Sequence, residues 1–269
     1  MRPLWKGALT FGLIYVPVKI YPATEDREPH FRLLHRECHT PIQYRRYCPR
    51  CNRDLAPEEV VRGYEFEKGN YVTIEDRDLA AVAPPGEKNI TLLDFVPTQE
   101  IDPVYYDRSY YLAPADGGAK VYELLRQALV HTAKVGIGKV VLRTKESLAA
   151  VRAGQRALVL ETLYYADEVR SQEALAELNF RVTLDHREME MAERLVTSLA
   201  APFDPARYTD ARREALQEVI RAKIAGREVV APPAPPTAKV TDLMEALRRS
   251  IEMAEARRGR KNVVERRRA

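Results

Sequence analysis

The stretch Lys134–Ser171, KVGIGKVVLRTKESLAAVRAGQRALVLETLYYADEVRS, does most to constrain what this chain can fold into. It opens on Gly136-Ile137-Gly138, which predicts a turn, and continues into the run Lys139-Val140-Val141-Leu142-Arg143. A charged connector then leads past a turn at Gly154 to a second apolar run, Ala157 to Tyr165. Val, Leu and Tyr dominate both runs and turn residues bound them, the pattern of a pair of sheet strands. Cations flank the two strands: Lys134, Lys139, Arg143, Lys145, Arg152 and Arg156. A hairpin that presents cations from a firm sheet suits a polyanion held without being read.

The rest of the first half is also β-rich. Residues 8–21 place Leu9, Phe11, Leu13 and Tyr15 at period two and predict one half-buried strand, with Pro17 at an edge, a bend or a strand end. Short strands follow at Tyr64-Glu65-Phe66, Tyr71 to Ile74, Asn89 to Val96 and Tyr105 to Leu112, separated by Lys68-Gly69-Asn70 and Pro84-Pro85-Gly86. Short strands at this spacing predict a barrel or a sandwich. Glu75, Asp76 and Asp78 read as the acidic start of a helix rather than as metal ligands.

Over residues 118–132 the period changes. Val121, Leu124, Leu125, Ala128 and Leu129 predict an amphipathic helix that begins at Asp116 or Gly117. A second helix starts at a capping box, Asp185-x-x-Glu188, and carries Met189, Ala192, Leu195, Val196 and Leu199 to a stop at Pro202. A third runs from about Asp210 to Ala225, with Ala215, Leu216, Val219, Ile220 and Ile224 inward and Gly226 as its stop. These two later helices need a surface to cover, either the β domain or a second copy of the chain.

Ala231–Pro236, APPAPP, is too rich in proline for helix or strand and predicts a semi-rigid spacer. The expected organisation is a core over 1–230, a linker over 231–236, and a C-terminal helix with a basic tail over 237–269. That helix carries Leu243, Leu247 and Ile251 on one side, a face for a partner. The last thirteen residues, RRGRKNVVERRRA, hold seven cations, among them Arg257, Arg258, Arg260 and Lys261, against one acid. Such a segment is drawn to phosphates, or serves as a solubilising tail.

With 45% hydrophobic and 30% charged residues, the chain has the composition of a soluble globular protein, and its net charge of +4 says little by itself about nucleic acid. No run of about 18 apolar residues occurs, so no membrane span is expected. The N-terminal run is broken by Gly12 and Pro17 and lacks a small-residue cleavage site, so it reads as a strand rather than a signal peptide, and a cytoplasmic location follows.

Three cysteines make no disulfide framework, but their placement carries chemistry. His35-x-x-Cys38 and Cys48-x-x-Cys51 are two knuckles whose donor atoms suit tetrahedral zinc, with His39 as a spare. The alternative is a β-hairpin with reduced thiols. Between the knuckles, Arg45 and Arg46 lie beside Tyr44 and Tyr47, an arrangement that stacks on nucleic acid or forms a solvated strand face.

Motifs for catalysis are missing: no phosphate-binding GxxxxGK[ST], no GxGxxG, no GxSxG and no nucleophile paired with a base. The chain reads as a binding protein that requires no cofactor, with structural zinc as the one metal its donors suit.

Several separated motifs resemble the prokaryotic Ku proteins. They are Trp5-x-Gly7 with Phe11-Gly12-Leu13 and Val16-Pro17-Val18-Lys19, the run Asp102 to Pro114, the strand Lys139 to Arg143, Leu163 to Arg170, and the late helix Asp242 to Ile251. The resemblance implies a mainly β, α+β fold: a β-barrel core with a helical arm and a short helical C-terminal segment, paired into a ring-shaped homodimer. It implies sequence-independent binding of double-stranded DNA ends at the nucleoid. It also implies recruitment of a multifunctional ATP-dependent DNA ligase in non-homologous end joining. Lys19, Arg45, Arg46, Lys134, Lys139 and Arg143 are the expected phosphate contacts, with the tail cations. The competing readings are a zinc-ribbon regulator that binds nucleic acid sequence-specifically, which lacks an isolated basic recognition helix here, and a metal-dependent nuclease acting on ends.

Overall fold

The structure, a computed structural model, describes residues 1–82, 89–142, 145–227 and 244–253. The chain divides into two compact units, Met1–Ala174 and Leu175–Ala269. The first holds β1 (Trp5–Phe11), β2 (Ile14–Pro22), β3 (Tyr47–Cys48), β4 (Arg53–Asp54), β5 (Arg62–Glu67) and β6 (Asn70–Ile74). It continues with α1 (Asp76–Ala81), β7 (Asn89–Pro97), β8 (Tyr106–Pro114), α2 (Ala119–Thr132), β9 (Lys134–Leu142), β10 (Lys145–Ala153) and β11 (Leu158–Leu163). The second unit holds α3 (His186–Leu199), α4 (Ala211–Ile224) and α5, residues 244–253.

Seven strands close into a barrel in the order β1-β2-β8-β11-β10-β9-β7. Neighbours pair antiparallel except at β1–β7, a short parallel seam of Ala8–Asn89, Leu9–Ile90 and Thr10–Thr91. Alternation puts Leu9, Val16, Val18, Ile20, Ile90, Leu112, Val140, Val151, Leu158 and Leu160 in one core. Most are fully buried, and each such side chain contributes about 1.5–3 kcal/mol. Tyr122, Leu125 and Leu129 of α2 join the same core. The Tyr122 hydroxyl donates to the Leu112 carbonyl at 2.6 Å and accepts from the Leu158 amide at 2.7 Å, so α2 is tied to both β8 and β11.

The α+β fold with its β-barrel is as the sequence implies, but three local expectations are corrected. Residues 8–21 are not one strand. They form the β1–β2 hairpin, turned at Gly12 (φ 55°) and Leu13, with Phe11 opposite Ile14. Pro17 lies inside β2 opposite Ala8, where the pairing to β8 has already ended at Val18–Pro114. Gly136-Ile137-Gly138 is not a turn either, since β9 runs straight through it. A Cβ on Gly138 would stand 2.1 Å from the Thr91 carbonyl oxygen, beside the register shift in β7 at Leu92–Asp94, so close strand approach is what demands glycine here. Finally, the charged connector contains a full barrel strand, β10.

Between β2 and β7, the flanking neighbours of β1, the chain makes an excursion over residues 23–88. It carries two small ribbons, β3–β4 and β5–β6, and α1, which begins at Glu75-Asp76 as its acids predict. None of residues 24–82 is buried. In the second unit, Asp185 caps α3 by accepting from the Arg187 amide at 2.7 Å. No residue of α3 or α4 is buried, and Val196, Leu199 and Ile224 are exposed. No helix among the described residues is long and apolar enough to cross a membrane. The proline run lies outside the described residues.

Candidate nucleic-acid interface

Closure of the barrel sends alternate side chains outward, and on one side these form rows that cross several strands. Lys6 of β1 faces Lys19 of β2, which in turn faces Ala113 of β8. Two residues along the same face, Tyr21 of β2 faces Tyr111 of β8, which faces Val159 of β11, which faces Arg152 of β10. Like charges directly opposite each other weaken a ladder by themselves. No carboxylate among the described residues pairs with Lys6 or Lys19.

Arg152 is held in place. Its Nη2 and Nε donate to Glu161 Oε1 at 2.7 and 3.0 Å, and the Ser109 hydroxyl donates to the other carboxylate oxygen. The Glu161 side chain is only 7% exposed against 40% for Arg152. The carboxylate is thus a fixed internal anchor, and the guanidinium keeps an open edge. A groove beside it is lined by Thr24, Ser109, Tyr111, Arg152 and Arg156. Guanidinium and ammonium groups along such a strip suit phosphates, which they would hold by charge with no base-reading geometry.

The structure does not gather the expected contacts on one surface. Lys19 lies in the row just described. Lys139 is three strands away round the barrel, and its Nζ is engaged by Glu146 Oε1 at 2.9 Å, a bond that raises its pKa. Lys134 is exposed where β9 follows the left-handed Ala133 that ends α2. Arg45 and Arg46 are on the excursion, where Arg45 pairs with Asp54 at 3.0 Å and Arg46 is exposed. Arg143, Arg257, Arg258, Arg260, Lys261 and Leu243 lie outside the described residues. Leu247 is half-buried and Ile251 only 6% exposed. Lys6 was missed because reading residues 8–21 as one strand hides the hairpin that sets it against Lys19.

The two knuckles are both formed. His35 Nδ1 lies 3.1 Å from Cys38 Sγ. The Thr40 hydroxyl and amide hold the Cys38 thiol below its ordinary pKa. Cys48 is lowered too, chiefly by the Cys51 amide and then by the Cys51 thiol and the Arg50 amide, while the Cys48 sulfur pushes Cys51 up. Among the described residues, no three His, Cys, Asp or Glu side chains converge as a ready ligand set.

These features define a class: a closed, mostly antiparallel barrel with a cationic, tyrosine-bearing outer face and a long excursion beside its one parallel seam. The family model of the Ku70/Ku80 β-barrel domain matches residues 10–191. The chain belongs to the Ku family. It is 44% identical over 253 residues to the non-homologous end joining protein Ku of Heliobacterium modesticaldum, with 94% of this chain and 92% of that one aligned. It is 41% identical to the protein of the same name from Bacillus subtilis, across 94% of this chain and 82% of that one. Against the Symbiobacterium thermophilum protein Ku it is 48% identical over 96% of its own length but spans only 64% of that longer chain.

Proposed function

We propose that this protein binds the ends of double-stranded DNA without regard to sequence, as a homodimer closed into a ring, and catalyses no reaction itself. It acts in the cytoplasm at the nucleoid, in double-strand break repair by non-homologous end joining. The bound ring recruits and stimulates a multifunctional ATP-dependent DNA ligase through the C-terminal segment. Leu243, Leu247 and Ile251 make that contact, Ile251 being 6% exposed in the single chain. The tail cations Arg257, Arg258, Arg260 and Lys261 rest on neighbouring DNA.

The observation that carries this reading is the outer row in which Lys6 faces Lys19 with no acid between them, one step from Tyr21, Tyr111 and Arg152. Affinity comes from releasing the counterions of the phosphates such cations replace, a term indifferent to base sequence. End selectivity then comes from topology, because a closed ring cannot pass onto a duplex that has no end. A second chain also explains why α3, α4 and the excursion carry uncovered apolar side chains.

The test compares one duplex as a linear fragment and as a covalently closed circle at matched salt. Strong binding to the linear form with little on the circle is the expected result. Equal binding to both would replace the ring with a basic patch on an open surface, and a marked preference among randomised sequences would return the zinc-ribbon regulator.

A further inference from the structure

The excursion poses a physical problem at residues 31–55. Phe31, Leu33, Leu34, Ile42, Tyr44 and Tyr47 are all exposed there, and no residue in the stretch is buried. A piece of chain this short that buries no core needs a covalent or metal cross-link to hold its shape. Yet it folds into two tight ribbons. In one, Leu34 bridges Pro41, the His35 amide donates to Thr40 and the His39 amide to His35. In the other, Tyr47-Cys48 pairs with Arg53-Asp54, and the Leu55 amide donates to Arg46.

The two ribbons repeat one geometry. Each carries a pair of donors with two residues between them, His35 with Cys38 and Cys48 with Cys51. In each, the residue after the second donor is left-handed: His39 at φ 55° and Asn52 at φ 52°. Only one other non-glycine among the described residues, Ala133, has positive φ. That conformation costs about 1 kcal/mol per residue, and neither position recovers it through burial. At each position it closes the turn of its ribbon: in the first the His39 amide donates to His35 and the His35 amide to Thr40, and in the second Asn52 leads straight into Arg53, which pairs with Cys48.

We propose that the two knuckles clamp one structural zinc ion, with His35, Cys38, Cys48 and Cys51 as its four ligands. The chemistry is that of tetrahedral Zn(II), at about 2.3 Å to sulfur and about 2.0 Å to nitrogen. Those lengths set the nitrogen and sulfur of one pair about 3.5 Å apart, so the observed 3.1 Å opens by a few tenths of an ångström as the ion enters. Residues 42–46 between the ribbons carry no regular structure, and turning about them brings the pairs together. Four ligands leave no open position, so the ion is structural. Binding releases the thiol protons and needs no oxidant.

The experiment uses the full chain, produced with Zn(II) present and dialysed into zinc-free buffer, with metal measured by mass spectrometry and thiols by a chromogenic disulfide reagent. About one zinc per chain, with all three thiols unreactive until a chelator is added, is expected. Cys48→Ser and His35→Ala should each bring zinc below about a tenth of that, while His35→Cys retains it. Replacement by Co(II) should give the visible bands of a tetrahedral thiolate site. Hydrogen exchange adds an independent measure: chelation should expose residues 31–55 and leave β8–β11 protected. A zinc-free chain with three freely reacting thiols overturns the proposal, as does zinc that persists when Cys48 and Cys51 are both serine. Zinc lost in Cys48→Ser but kept in His35→Ala overturns the ligand set. None of these outcomes depends on DNA binding, so the proposal stands or fails apart from the function above.

Discussion

A single hydroxyl shows how sparingly the barrel and its helix are joined. The Tyr122 side chain satisfies one carbonyl on β8 and one amide on β11, both buried. Tyr122→Phe keeps the packing and leaves both backbone groups without that partner. The expected loss is about 2 kcal/mol, read as a lower urea midpoint with an unchanged m-value. Gly138 gives the opposite kind of test. An added methyl meets backbone at 2.1 Å, which cannot move as a side chain can, so Gly138→Ala should cost about 3 kcal/mol by the same measurement. Gly138 is also where sequence reading fails in an instructive way. Glycine permits turns and close approaches alike, and only the bulged partner strand distinguishes them. The cation rows share that difficulty, because Lys6 gains its meaning from a residue on the next strand.

Among the elements, those with regular period and clear boundaries were legible. Asp185 caps α3, Gly226 turns out of α4 at φ 69°, and the acids at Glu75 to Asp78 start α1, all as the residues predict. β10 was not, because Glu146 to Val151, ESLAAV, has little β-branched character and becomes a strand only between β9 and β11. The apolar stripe of α3 was legible, but what covers it was not, since pairing with another chain leaves no mark on periodicity. If a second copy covers it, Val196→Asp should weaken self-association at least tenfold in sedimentation experiments. The same substitution should leave the thermal unfolding of the barrel unchanged, as Val196 is 70% exposed and contributes nothing to that core.

For the molecule as a whole, net charge is a poor guide to binding and arrangement a better one. A total of +4 is spread over 43 basic and 39 acidic residues, and many surface arginines are already paired, as Arg53 is with Glu59 and Arg62 with Asp76. Cations without acidic partners are the ones available to phosphates. Lys6→Ala with Lys19→Ala should therefore weaken duplex binding evenly across sequences. It should also lower the slope of log affinity against log salt by about one to two, while Lys139→Ala, already engaged by Glu146, should change it less.

The parallel seam between β1 and β7 has a consequence for how the chain reaches this state. The Thr10 hydroxyl donates to the Ile90 carbonyl across 80 positions of sequence, and only three residue pairs hold the strands together there. Every other junction of the barrel has a longer ladder. The β2–β8 junction reaches further along the chain, Val18 to Pro114, but its ladder is longer; the seam gains least on forming, so the open sheet is expected to close there last. The order reverses under load. Tension applied through the excursion would enter at Pro22, paired to β8, and at Asn89, paired to Ala8 in the seam, and the seam with its three pairs is the junction expected to part first.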